Sequence, residues 1–491
     1  MTSDMESRME AFTNYLDRTK MDHKDYQYEG VKWTLTNELR EDPPCGVRGG
    51  FIADEMGLGK TILMIGTFAA HLLPHTLIVL PPVLIDQWVL QIKRTTGHDA
   101  FVYHGAVKKT CTLSKLRMSP IVITTYGAVS LSMTQNDNNS NILHEMKWSR
   151  IVFDEAHHLR NKKTTLHSST KLLKADIRWL VSGTPIQNNK KDFYNLCSIL
   201  GLPDTFYKDR TNLTTLARHF ILKRTKKQLG IVITDLIIDN NTVNWSNDKE
   251  MTLSQEIHSD LAFSRVSGSK HGLLVDGLAK CYDKGGRVLA LMMKARQTCV
   301  LPKLMIPSLD NLVKKGLLDN YDAYKDSFDH SSKLDIIVNT ILERKGNDCG
   351  KLIFCHYRQE IDEVAKRLRD GGMANVATFD GRTSHNDRHQ ILTEKNEALI
   401  LQIQTGCEGL NLQENYSEIY FVTPHWNPAV EDQAIARCHR IGQTKPVYVK
   451  RFEMCKFEKD IDQVMNTQTI DNYASSVQGI KRDIATECLN P

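Results

Sequence analysis

Apolar positions along this 491-residue chain fall into short continuous runs and longer periodic ones, and the two kinds alternate. The short runs are Phe51-Ile52, TLIVL before Pro81-Pro82, IVITT from Ile121, IVF from Ile151 and the apolar part of DIRWLV (176–181). Continuous runs of this length bounded by breakers read as buried strands. Between them lie helix-period stretches: 20–40, 61–73, a segment through Leu84, Trp88 and Ile92, and 190–203 with Phe193, Leu196 and Leu200 on one face. A second alternating series starts at Leu352. Its strands are KLIFC, NVATF, ALILQ, SEIYFV and PVYVKRF, and its first helix carries Ile361, Val364, Ala365 and Leu368. Strands alternating with helices predict parallel sheets, here two of them.

The stretch between the two series is too long for a linker. It contains helical segments at 251–263, where Thr252 and Gln255 suggest a capping box, and at 285–305, stopped near Pro302. A further helix is expected over 456–468, and the polar segment 134–141 reads as an exposed loop.

Composition fits a globular chain, with 41% hydrophobic and 25% charged residues. No apolar run reaches membrane-spanning length, and MTSDMESRMEAF lacks the apolar core of a secretory signal, so an intracellular protein is expected. The 11 cysteines include no CxxC pair, which gives neither a disulfide framework nor zinc spacing. Net charge is only +5, but cations cluster. Arg210 to Thr234 holds six Lys or Arg and no acid, and Arg160 to Ala175 holds five and none. Such runs are either solvated faces or patches that track a phosphate backbone.

Candidate chemistry begins with FIADEMGLGKT at 51–61. Gly57 and Gly59 let backbone N–H groups approach phosphate oxygens, Lys60 supplies a point charge, and the Thr61 hydroxyl can hold magnesium. The usual phosphate loop has a glycine where Asp54 stands. In SRIVFDEAHHLRN the strand runs into Asp154 and Glu155, which places two carboxylates at its C-terminal end, where parallel sheets bind ligands. Asp154 suits a magnesium ion and Glu155 an attacking water. Thr124, Thr125 and Tyr126 end the third strand with hydroxyls able to reach phosphate or sugar. Gln27 offers the donor and acceptor pair that the edge of adenine requires, although a lone glutamine on a helix is ordinarily a surface residue.

YQYEGVKW, DEMGLGKT, LPP leading to QW, TTY, DEAHHLRN and SGTPIQNN, in this order, resemble the first lobe of a Swi/Snf-type ATPase of helicase superfamily two. That family's loop reads DEMGLGKT, so Asp54 is a family feature. ARQTCVLPKLM is similar to its RQxCxHP element and AVEDQAIARCHRIGQTK to its QAxxRxxRIGQ, whereas ALILQIQTGCEGLNL (398–412) departs from its SxxxxGGxGLNL at Gln402 and Cys407. The resemblance implies an α/β fold of two RecA-like lobes with helical insertions. The boundaries are an extension at 1–19, a first lobe at 20–230, helical protrusions at 231–345, a second lobe at 346–468 and a tail at 469–491.

It implies ATP and Mg2+ as ligands. Gln27 and residues Asp54, Glu55, Met56, Gly57, Leu58, Gly59, Lys60 and Thr61 would hold the nucleotide, with Thr61 and Asp154 on the metal. Lys60, Asp154, Glu155, Arg437 and Arg440 would be catalytic, the two arginines as i, i+3 neighbours on one helix face closing on the γ-phosphate. Trp88, Thr124, Thr125, Ser182, Thr184 and Asn411 would contact nucleic acid. The implied activity is ATP-driven translocation on double-stranded DNA, in a nucleus or a viral replication compartment. A strand-separating helicase and a non-catalytic ATP-bound clamp are the alternatives.

Overall fold

In a computed structural model, the described residues are 2–131, 141–187, 189–264, 273–280, 284–406, 410–457 and 467–489. Parts of the expected loop at 134–141 and helix at 456–468, together with Asn188, Cys407 and Gly409, lie outside them. The chain divides into two units, residues 1–232 with 481–491, and residues 233–480.

The first unit holds strands β1 (Arg48–Ile52), β2 (Thr76–Leu80), β3 (Phe101–Tyr103), β4 (Ile121–Thr125), β5 (Lys147–Asp154), β6 (Lys174–Val181) and β7 (Ile221–Leu222), in the order β3-β4-β2-β5-β6-β1-β7. All its pairings are parallel. Every residue of β2 and β4 is buried, because helices cover both faces and each strand must be apolar on both sides. Helices α1 (Thr2–Thr19), α2 (Asp25–Leu39), α3 (Lys60–Ala70) and α4 (Ile85–Thr96) contribute to one side of this core. Residues 1–19, expected as an extension, are therefore part of the lobe. Phe12 of α1 packs so closely on α3 that any side chain at Gly66 would run into its ring.

The second unit holds β8 (Leu236–Val243), β9 (Gly350–Cys355), β10 (Val376–Phe379), β11 (Ala398–Gln402), β12 (Tyr416–Phe421) and β13 (Val447–Met454), all parallel, in the order β10-β11-β9-β12-β13-β8. The stretch 231–345 is thus not wholly helical, since it opens with the sheet's edge strand β8. The helix Asp248–His258 is capped by Asn247, not by Thr252, whose hydroxyl instead donates to the Asp248 carbonyl within the helix. Arg296 of the ARQTCVLP element is buried, donates to the Pro424 carbonyl at 2.9 Å and lies over the Trp426 ring. The tail forms a helix over Ile470–Leu489. Among the described residues no helix is long and apolar enough to cross a membrane.

Candidate nucleotide site

Strand register places the site. Ile52 pairs with Val181 and Asp154 pairs with the same Val181, so β1, β5 and β6 end in one row and release their loops at one edge. The Ser182 N–H donates to the Ile52 carbonyl at 3.0 Å, which holds the SGTP turn against the start of the glycine loop. A side chain at Gly183 would begin 2.9 Å from Met56 and 3.1 Å from the Lys60 ammonium and would displace one or both.

The loop from Asp54 to Gly59 keeps the N-terminus of α3 open. Gly57 and Gly59 adopt φ of 89° and 79°, in the left-handed region that glycine tolerates. Gly59 caps α3 without a side chain, and no acid stands in the first turn, so the helix end is free to meet an anion. Gln27 is buried, with its Nε2 only 2.7 Å from where a Gly59 side chain would begin. The adenine-reading candidate and the phosphate-holding candidate are therefore neighbours. The Lys60 ammonium donates to the Asp54 carbonyl at 3.1 Å.

Asp154 is fixed on three sides. The Trp88 indole N–H donates to its Oδ2 at 2.7 Å, the Glu155 N–H to its Oδ1 at 3.0 Å, and the Tyr126 hydroxyl to its carbonyl at 2.6 Å. Burial pushes the Asp154 carboxyl up to about 7 and the adjacent Glu155 charge pushes the same way, while Trp88 and Lys60 act against them. Glu155 itself is held at φ 51°, a left-handed conformation that costs a non-glycine residue strain. Its Oε2 lies 3.2 Å from His157 Nδ1.

Several expectations require correction. The Asp54 carboxylate does not face a nucleotide; it is buried and paired with Arg224. Glu55 accepts from the Lys226 N–H at 2.8 Å and pairs with its ammonium at 3.1 Å. The Leu58 side chain is buried, which leaves only its backbone for a ligand. Trp88 is fully buried and orients Asp154, so it offers no face to nucleic acid. Thr124 and Thr125 are buried, with their hydroxyls on the Tyr103 carbonyl and His104 Nδ1. Ser182 is buried too, and its hydroxyl accepts from the Thr184 N–H at 3.2 Å. Thr184 is half-buried and Asn411 exposed. Within the basic run from Arg210 to Thr234, Arg224 and Lys226 turn inward, so that run is not a continuous cationic face.

In the second unit, the helix carrying Glu431 and Asp432 ends at Ile435. Arg437 and Arg440 therefore stand in the turns beyond it and not on a helix face. The Arg437 carbonyl accepts from the Leu412 N–H at 3.1 Å, while its Nε is buried without a hydrogen-bond partner among the described residues. Arg440 donates to the Asn411 side chain, which ties the GLNL and RIGQ segments together. Burial, and then the nearby Arg437, lower the Arg440 pKa from its usual value. Gln443 staples the same turn, donating to the Gln413 and Tyr416 carbonyls at 2.9 and 3.1 Å.

Arg224 as a site residue, and Trp88 and Tyr126 as groups that hold Asp154, are not legible in the sequence. One signal pointed to a close approach in that region: Gly30 sits inside a helix, where glycine is unfavourable unless something packs against it. A side chain there would meet Leu63 at 2.6 Å and Arg224 at 2.9 Å.

A family model for the SNF2-related domain matches residues 26–304, and one for the helicase conserved C-terminal domain matches residues 332–442. The chain is 26% identical over 482 residues to the ATP-dependent DNA helicase DDM1 of Arabidopsis thaliana, covering 87% of this chain and 58% of that protein. It is 27% identical over 524 residues to the DNA excision repair protein ERCC-6-like of Danio rerio, covering 88% and 34%. Against the probable global transactivator of Orgyia pseudotsugata multicapsid polyhedrosis virus it is 27% identical over 463 residues, covering 87% and 85%. It thus spans little more than half, or less, of the first two relatives. Among solved structures, the Sulfolobus solfataricus SWI2/SNF2 ATPase core in complex with dsDNA aligns at 23% identity and a TM-score of 0.39, covering 96% of each chain.

Proposed function

The chain belongs to the SNF2-related family, and from that premise we propose that it hydrolyses ATP, is stimulated by double-stranded DNA, and couples turnover to movement along the duplex. The observation that carries the reading is the gathering, at one sheet edge, of an uncapped helix start, Lys60 and the Asp154–Glu155 pair. In this reading Gln27 recognises adenine, the Gly57–Gly59 backbone and Lys60 hold the phosphates, and Glu155 aligns the attacking water. The donor set suits magnesium: a buried carboxylate whose burial disfavours its charge, next to a second carboxylate, is a site that a hard divalent cation stabilises, and Thr61 is proposed to add its hydroxyl. When bound, that ion neutralises developing charge on the β- and γ-phosphates. Arg437 and Arg440 are proposed to supply positive charge to the γ-phosphate during turnover.

Support for a nucleic-acid partner comes from an open groove of about 1300 Å³ in the first unit, where Arg160, Lys162, Lys163, Lys191 and Lys208 outnumber Asp192 and Asp204. Lysine and arginine side chains favour the phosphate backbone, so binding is expected to be salt-dependent and sequence-tolerant.

The test is ATPase activity with no nucleic acid, single-stranded DNA, duplex DNA, RNA and nucleosomes. Duplex DNA is expected to stimulate most. Equal or greater stimulation by RNA or single strands would overturn the duplex assignment, and unwinding of a forked duplex would move the reading to a strand-separating helicase.

A further inference from the structure

Arg224 makes more contacts to the candidate nucleotide site than any role in a basic surface patch requires. It lies 170 residues after Asp54 in sequence, yet its backbone N–H and its Nε both donate to Asp54 Oδ1, at 3.0 and 3.1 Å, and an amino group pairs with Oδ2. The other amino group donates to the Tyr26 carbonyl, and the guanidinium lies 5.6 Å from the Tyr26 ring centre. The Arg224 carbonyl in turn accepts from the Glu55 N–H at 2.9 Å. One residue thus joins the turn before Gln27 to the first two residues of the glycine loop.

We propose that Arg224 is a positioning residue that sets the distance between Gln27 and the phosphate loop, and with it the affinity and base selectivity of this chain for nucleotide. The inference rests on the nucleotide-binding part of the function proposed above. A planar guanidinium can reach a carboxylate with two nitrogens while a third group bonds a carbonyl on the opposite side; a lysine ammonium is a single point and cannot span both. Asp54 is buried, and removing the guanidinium leaves its carboxylate without its cationic partner at the mouth of the loop. Gly30 is the counterpart on α2, since any side chain there would displace the Arg224 amino group. The sequence therefore devotes a helix-interior glycine, a buried acid and an arginine to one fixed spacing. Two mobile halves would bind the triphosphate and the base independently; a braced pair binds them as one rigid outline, and discrimination between bases depends on that rigidity.

The experiment uses the full chain. Titration with N-methylanthraniloyl-ATP, competition by ATP and by GTP, and kcat and KM for both nucleotides are compared for wild type, Arg224→Ala and Arg224→Lys, with thermal melting as the check on folding. Arg224→Ala is expected to weaken ATP binding about tenfold to a hundredfold, with kcat at saturation falling far less and the ATP-to-GTP ratio moving toward one. Arg224→Lys should regain part of the affinity and none of the selectivity. If Arg224→Ala does not fold, Asp54→Asn, which leaves the bond to Tyr26 in place, carries the same readout at smaller amplitude. A folded Arg224→Ala with unchanged ATP affinity and unchanged ATP-to-GTP ratio overturns the role, as does a wild type that does not distinguish ATP from GTP. A wild type that binds and distinguishes ATP but never hydrolyses it defeats the ATPase reading instead, and the competition titrations still decide the role of Arg224.

Discussion

Apart from β7, which extends the first sheet beyond β1, the two sheets share one strand order, β3-β4-β2-β5-β6-β1 against β10-β11-β9-β12-β13-β8, so β8 stands in its sheet where β1 stands in the other. The helix starts that come after these two strands differ in how they are capped. After β1, the next helix begins at Gly59 with no side-chain cap and no acid in its first turn. After β8, the next helix begins at Asn247, whose side chain accepts from the Lys249 and Glu250 N–H groups at 2.9 and 3.1 Å, and its first turn carries Asp248 and Glu250. Both helix starts present the same partial positive charge. One leaves it open, and the other fills it with its own oxygen atoms. The strand order is duplicated, but of these two helix starts the one after β1 leaves a place for an anion and the one after β8 does not, and the difference is made by a few side chains at one turn.

The largest effect should come from the group that turns an open anion site into a reactive one. Glu155→Gln keeps the shape and the N–H contact to Asp154 but removes the carboxylate that aligns water. Turnover should fall roughly 10²- to 10⁴-fold, with ATP binding retained. Steady-state hydrolysis alongside nucleotide titration checks it, and wild-type turnover would remove Glu155 from the chemistry. Arg440→Ala should also lower kcat at saturating ATP, and an unaffected kcat would free the second unit's turn from that role.

Next in size is the anchoring of the helix that carries Gln27. At the far end of α2, the buried Glu38 accepts from Arg150 at 2.7 and 2.5 Å and from the Trp179 indole at 2.7 Å, and it lies 2.7 Å from His71 Nδ1. Burial alone would raise its pKa, but Arg150, His71 and Trp179 together hold it down at about 2. A carboxylate depressed from 4.5 to about 2 contributes stability that is present above pH 4.5 and lost as pH falls toward 2, in total about 3 kcal/mol. Glu38→Gln should therefore lower the unfolding free energy by about 3 kcal/mol at pH 7 and flatten its decline between pH 4.5 and 2. Denaturant melts across that range decide it; an unchanged acid limb would show that the network does not anchor the lobe.

How far the contrast between the two helix starts was legible beforehand depends on the range of each interaction. Strand runs, the glycine loop and the carboxylates at a strand end are local patterns, and each appears in the structure at its expected place. Contacts between distant residues left no such trace. Nothing near Arg224 in sequence points to Asp54, and the cations around it suggest a surface. Trp88 and Thr124 stand beside strand ends, where both a ligand contact and a buried brace are apolar or hydroxylic side chains; burial alone separates the two. For Arg437 and Arg440 the helical period suggested one face, but the helix stops at Ile435, before either residue.

Filling the open helix start directly tests the comparison. Gly59→Asn brings a side chain that tolerates φ of 79° but begins 2.7 Å from Gln27 Nε2, and its amide can bond the N–H groups that phosphate needs. ATP affinity should fall on the order of tenfold, with the melting temperature little changed. Equal affinity would mean that the α3 start is not where phosphate sits.

The smallest effect is the converse change, and it separates capping from binding. Asn247→Ala uncovers the helix start after β8, and should lower stability by about 1 kcal/mol. It should not create a nucleotide site, for reasons that lie in the remaining side chains. Glu250 is fully buried and its carboxylate accepts from the Ser332 N–H at 3.1 Å, so an acid still stands in the first turn beside Asp248. Burial raises the Glu250 pKa, but its bonds to Ser332 favour the charged form, and either form occupies the space. No lysine opens that helix in the manner of Lys60 in α3; Asp248 holds the corresponding position. Nucleotide titration of Asn247→Ala in a Lys60→Ala background, where the first site is weakened, reads the second helix start alone. Binding that appears only when Asn247 is removed would show that the cap was the sole barrier; its continued absence assigns the difference to the acidic first turn.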